Sequence, residues 1–128
     1  MSTTSPTTIS DIRTIAVHVT DLDAAIGFYV GTLGFEIRLD VQATPTMRWV
    51  EVAAAGADVT LALVAGRVGR EPTDTGIRFA VLDAAREHAE LDRKGVVVGD
   101  LLVWDGVPPM FTFDDVDSNR FTIVETVK

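Results

Sequence analysis

The chain of 128 residues has no cysteine, which excludes disulfides, thiolate nucleophiles and sulfur ligands to a metal. Basic residues are scarce: 11 Lys and Arg stand against 19 Asp and Glu, for a formal net charge of −8. A nucleic-acid binder needs basic surface to displace counterions from phosphates, so that class is disfavoured. The acidity serves solubility or favours a cationic ligand. No apolar run approaches the ~20 residues that span a bilayer. Residues 1–8 are rich in Ser and Thr, without a basic segment or an apolar stretch, so no secretory signal is read there. Residues 1–9 read as a disordered tail, and a cytoplasmic location is the default expectation. Ser-His-Asp spacing, a phosphate-binding Gly loop and a repeated basic patch are also missing.

What the chain does have is a repeat. Asp21 and Asp83 lie 62 residues apart, as do Thr60 and Thr122, and Gly34 and Gly95 lie 61 apart. Each half reads as strand, helix and three further strands. A half of this size has too little interior to be comfortably stable alone. Two halves packed together make one domain with a seam, and seams are where ligand clefts form. Module one is expected over 10–64, a linker over 65–75 and module two over 76–127.

In the first half, Thr14 to Thr20 reads as a strand with Ile15, Val17 and Val19 on one face and Thr14, Ala16 and His18 on the other. Asp21 caps a helix whose apolar stripe is Leu22, Ile26, Tyr29, Val30 and Leu33, ended by Gly34. Alternation predicts strands over Phe35 to Val41, Met47 to Ala53 and Val59 to Val64. In the second half, Ile77, Phe79 and Val81 alternate with Arg78, Ala80 and Leu82. Asp83 then caps a helix over Ala84 to Lys94, which Gly95 ends. Strands are expected at Val96 to Val98, Met110 to Asp114 and Phe121 to Val127, with a rim loop around Gly106 and Pro108-Pro109. Asp115 to Asn119 reads as a turn whose side chains bond their own backbone. The fold class is α+β: a curved, mainly antiparallel sheet with helices outside.

Three stretches carry a resemblance to a known family. They are "IAVHVTDLDAAIGFYVGTLGFEI" (Ile15 to Ile37), "FAVLDAAREHAELDRKGV" (Phe79 to Val96) and "FTFDDVDSNRFTIVE" (Phe111 to Glu125). The chain resembles the vicinal oxygen chelate superfamily, which includes glyoxalase I, extradiol dioxygenases, fosfomycin-modifying enzymes and bleomycin-resistance proteins. The resemblance implies two βαβββ modules forming an eight-stranded cup, a homodimer and a small-molecule partner. It also implies metal ligands at inward strand positions, which here map to Thr14 and Thr60, then to Gly76 and Thr122. Hydroxyls and a glycine are a poor divalent-metal set. The expectation is therefore a metal-free, cofactor-free member that binds a small organic molecule in the cup, with bleomycin-resistance proteins as the nearest analogy.

The expected ligand-binding residues are Thr14, His18, Trp49, Thr60, Arg78, Trp104, Met110 and Thr122. His18 is the candidate catalytic residue, as general base or hydrogen-bond donor, or else a histidine bonded to a neighbouring group. His88 is expected to pack, partly buried, on the second helix. Arg78 must pair with a carboxylate (Glu51 or Glu125), meet water or hold an anionic ligand. Arg48 lies nearer a turn and is expected to be solvated. The two tryptophans suit planar or cationic ligands, packing, or a dimer contact. A non-standard metal set of His18, Glu51 and Glu125 is opposed by strand parity, which puts Glu125 on the core side. Two alternatives stay open: a lyase, isomerase, epimerase or dioxygenase-like enzyme, or a subunit with a vestigial cup that binds another protein.

Overall fold

The computed structural model of the chain describes residues 5–126. The first four residues of the expected tail, and Val127 at the expected end of the last strand, lie outside them. Residues 5–13 are exposed and precede the first strand. The first module is β1 (Thr14–Val19), α1 (Leu22–Ile26), β2 (Glu36–Thr44), β3 (Met47–Ala53) and β4 (Thr60–Ala65). The second is β5 (Thr73–Val81), α2 (Ala84–Arg93), β6 (Val97–Val98), β7 (Leu102–Trp104), β8 (Val107–Asp114) and β9 (Asn119–Glu125). Both modules keep the expected order. The second splits one strand into β6 and β7, so the expected eight strands are nine. Hydrogen bonding divides them into two sheets, ordered β1-β4-β3-β2 and β5-β9-β8-β6, with β7 also on β8. In each sheet the first and last strands of the module are parallel neighbours and the other pairings are antiparallel.

Both helices start as the sequence predicts. Asp21 accepts from the Ala24 N–H at 3.2 Å and Asp83 from the Arg86 N–H at 3.0 Å. Each bond satisfies an amide that the first turn leaves without a partner. The first helix then departs from expectation, because Gly27–Thr32 is π-helical. Its wider turn shows in the Leu33 N–H donating to Phe28 O at 3.0 Å. The consecutive residues Phe28 and Tyr29 in this wider turn are both buried. Gly34 (φ +80°) and Gly95 (φ +82°) terminate the two helices as read.

One core serves both modules. Val17, Val19, Val50, Val52 and Leu63 come from the first sheet, and Phe111, Phe113, Phe121 and Ile123 from the second. Phe28 stacks on Phe113 at 6.4 Å and Tyr29 meets Phe121 edge-on at 6.1 Å, so the first helix packs on the second module's sheet. Polar bonds fix the seam. The buried Tyr29 hydroxyl donates to Asp115 Oδ2 at 2.6 Å, and Thr20 donates to Asp117 through its N–H (3.0 Å) and hydroxyl (2.6 Å). Asn119 Nδ2 donates to the His18 carbonyl at 2.9 Å. The turn at Asp115 to Asn119 does bond its own backbone, with Asp115 Oδ1 accepting from the Asp117 and Asn119 amides. It also locks the modules together, which its local pattern did not announce. Ser118 takes φ 62° there.

Two local expectations are corrected. Pro108 and Pro109 lie within β8, and the turn is at Asp105-Gly106. Prolines are tolerated because β7 pairs with this end of β8 only at Leu102–Met110 and Trp104–Val107, with an irregularity between. Gly76 is not the partner of Thr122. A bulge between Asp74 and Arg78 slips the register, so Thr122 stands beside Arg78, and Gly76 takes φ +72°.

Candidate functional site

Strand alternation decides where the candidate residues fall. In β1 and β4 the side chains of Val17, Val19, Leu61 and Leu63 enter the core, so Thr14, Ala16, His18, Thr60 and Ala62 point to the opposite face of the sheet. Trp49 and Glu51 join them from β3. In the second sheet the same parity sends Phe111, Phe113, Phe121 and Ile123 inward. Arg78, Met110 and Thr122 then lie on the outward face, with Trp104 on β7 beyond them. The eight expected ligand residues therefore form two groups of four, with the shared core between the two outward faces. Within one chain they do not surround a common space.

The first face carries a closed polar network. Glu51 is 3% exposed. Its Oε2 accepts from Trp49 Nε1–H at 2.7 Å and its Oε1 from the Thr60 hydroxyl at 2.8 Å and from Arg13 at 3.2 Å. Thr60 Oγ1 lies 2.8 Å from Thr14 Oγ1, and the Thr14 hydroxyl lies 3.2 Å from the Thr60 carbonyl. Burial pushes the Glu51 carboxyl up. The Trp49, Thr60 and Arg13 donors outweigh burial and hold it below the usual carboxylate range. Glu51 is thus ionised and satisfied by three donors. Trp49 and Thr14 are half-buried and form the part of the network that the face presents.

His18 is exposed on this face, one strand repeat beyond Ala16, and its ring has no hydrogen bond among the described residues. On the second face Arg78 pairs with neither expected carboxylate. Glu51 is taken by Arg13, and Glu125 turns inward to accept the Ala84 N–H at 3.0 Å, closing the start of α2. The parity argument on Glu125 holds. Arg78 is exposed and donates to the Gly76 carbonyl at 3.2 Å. Trp104 is 59% exposed. His88 packs as read, edge-on to Phe111 and with Nε2 2.8 Å from the Gly99 carbonyl. Arg48 is not merely solvated. It bridges Asp40 of β2 (2.8 Å) and Asp23 of α1 (3.0 Å), tying the sheet edge to the helix start.

A second feature was not foreseen residue by residue. A cleft of about 740 Å³ runs along the seam beside the free edge of β5, walled by Ile15, Leu61, Phe35, Ile77 and Phe79, with Lys94 and Arg78 at its margin. Of the expected ligand residues only Arg78 reaches it. Alternation marked the others as core, and only the packing of two modules leaves them beside a gap. Among the described residues no three His, Asp or Glu side chains are gathered to hold a metal ion, and no helix is long and apolar enough to cross a membrane.

Two parallel-closed βαβββ modules around one core define a class, and comparison with known proteins agrees. Residues 11–123 match the model of the Glyoxalase/Bleomycin resistance protein/Dioxygenase superfamily, and the chain belongs to that family. It is 30% identical over 122 residues to the uncharacterized protein YetH of Bacillus subtilis (strain 168), covering 91% of this chain and 99% of that one. Among solved structures it is similar to TnmS3, an antibiotic binding protein from Streptomyces sp. CB03234, at 29% identity and TM-score 0.82, covering 95% of this chain and 100% of that one. A superfamily member from Sphaerobacter thermophilus DSM 20745 shares 31% identity at TM-score 0.85, covering 92% and 98%.

Proposed function

We propose that this protein binds a small, largely apolar organic molecule without metal, in a cup that a second copy of the chain completes. The observation that carries the reading is the Thr14–Thr60–Glu51–Trp49 network. At the positions where the family resemblance implies metal ligands, the first module has two hydroxyls bonded to each other, and that of Thr60 also to the Glu51 carboxylate, which is already saturated. In the second module the corresponding positions are a glycine in a bulge and a threonine beside Arg78. Neutral hydroxyls are weak ligands for divalent cations, and a guanidinium next to the site repels them. These residues do not fit a divalent metal.

Trp49 gives the first face a flat apolar wall, and exposed Trp104 and half-buried Met110 give the second an aromatic and thioether surface. β1 and β5 are both end strands with one unpaired edge. A two-fold dimer that sets β1 of one chain beside β5 of its partner would join the two faces in one curved wall and remove both edges. Similarity to an antibiotic binding protein supports a ligand of this kind. A cytoplasmic location, where no disulfide is called for, goes with the reading.

The test is a thermal-shift screen of small aromatic and heteroaromatic compounds, with and without EDTA. A binder raises apparent stability by mass action, and the shift should be the same in both buffers. A response that disappears with EDTA contradicts the reading. One observation favours a second reading: the unengaged imidazole of His18 on the same face. It is the residue a metal-independent lyase or isomerase would use as a base. A His18→Ala variant that keeps every ligand and every turnover removes that reading.

A further inference from the structure

We infer that buried Glu51 fixes the direction of the hydroxyl protons on the first module's face, so that this face selects a flat ligand carrying a hydrogen-bond donor. The inference rests on the small-molecule reading above and adds to it the polarity of the ligand. Thr60 has one hydroxyl proton and two acceptors at 2.8 Å, Glu51 Oε1 and Thr14 Oγ1, with the Arg13 carbonyl farther away at 3.5 Å. The ionised carboxylate is the stronger acceptor and takes the proton. The Thr14 hydroxyl turns its own proton inward, donating to the Thr60 carbonyl at 3.2 Å. That leaves the half-buried Thr14 oxygen presenting only lone-pair density to the ligand side.

The same carboxylate consumes the indole N–H of Trp49 at 2.7 Å. The ring is thereby fixed and offers its π face with no donor. Arg13, the third donor, is also directed at Glu51. Near Thr14 the face thus combines an aromatic wall with an acceptor. A planar amine or phenol matches both, whereas its ether analogue meets lone pairs with lone pairs. Glu51 acts here as a positioning residue, through Thr60, Thr14 and Trp49.

The test uses two probes that differ in one proton, 2-naphthol and 2-methoxynaphthalene, titrated by calorimetry into the full chain. The wild type should bind the naphthol roughly fivefold or more tightly, as expected when one buried polar contact is lost. Glu51→Gln keeps the shape. Its carbonyl can still accept from Trp49, while its amide N–H₂ now donates to Thr60 and reverses the chain. The naphthol preference should vanish or invert. Thr14→Val should also abolish it, without altering the Trp49 indole N–H resonance in proton–nitrogen correlation spectra. In the ligand-free protein that resonance should move in Glu51→Gln and stay in place in Thr14→Val. Equal affinities in the wild type, or a naphthol preference untouched by Glu51→Gln in a folded protein, overturn the inference while leaving small-molecule binding intact. Failure of both naphthalenes to bind the wild type overturns it together with the binding reading.

Discussion

Replacing Tyr29 by Phe should weaken the seam between the modules by about 2 kcal/mol. The ring is fully buried and meets Phe28 and Phe121 edge-on, so keeping a phenyl group leaves no cavity. What disappears is one hydrogen bond of 2.6 Å to Asp115 Oδ2. Bonds to a charged acceptor contribute ~1.5–3 kcal/mol. Asp115 keeps the amides of Asp117 and Asn119 and the Asn119 side chain, which places the loss toward the middle of that range. For a domain of this size the melting temperature should fall by roughly 6–10 °C. The effect has a pH signature. Burial, then the charge of Asp115 and its hydrogen bond, push the Tyr29 hydroxyl far above its ordinary 10.0. A folded-state pKa raised this way contributes stability that is whole below the unfolded value and is lost as pH climbs past it. Urea unfolding followed by circular dichroism should therefore show the gap between wild type and Tyr29→Phe narrowing above about pH 10. A loss under ~0.5 kcal/mol at neutral pH, or a gap that widens in alkali, refutes the reasoning.

Asp117→Asn should cost about 1–3 kcal/mol at neutral pH. Burial pushes that carboxyl up, yet the Thr20 bonds and Arg70 outweigh burial and hold it low. Its contribution is thus present above the usual carboxylate range and lost as pH falls, and acid unfolding of the variant should be flatter than that of the wild type. Gly76→Ala meets no atom within 4 Å, so its cost is the left-handed backbone alone. That is about 1 kcal/mol by thermal unfolding, and no change would mean that β5 relaxes its bulge. Sedimentation at micromolar concentration should report two chains per particle, and a monomer there would remove the closed cup.

Most of the fold was legible because it rests on local rules that the tertiary structure does not overrule. Asp21 and Asp83 cap, Gly34 and Gly95 terminate, and Met47–Ala53 forms the strand its pattern predicts. What stayed hidden depended on contacts between distant residues. The π turn at Gly27–Thr32 accompanies the packing of Phe28 and Tyr29 on the second sheet, and nothing within the helix encodes that sheet. The slip that puts Arg78 opposite Thr122 arises from a bulge, so a 62-residue offset that was regular along the chain did not survive as a pairing. For the site, parity correctly put Thr14 and His18 opposite Ile15, Val17 and Val19, and Glu125 on the core side. It could not show that the two modules turn these faces outward, because that depends on how the helices nest between sheets. The Arg13–Glu51 pair joins residues 38 apart, and a sequence offers no reason to prefer it over Arg78.

Native mass spectrometry of the full chain purified without chelator is the most direct test of metal-independent binding. The expected particle is a dimer whose mass shows no integral divalent metal, and which gains one or two equivalents of an added planar aromatic ligand. A stoichiometric Zn, Ni, Mn or Fe on each chain, removed by EDTA together with ligand binding, would contradict it.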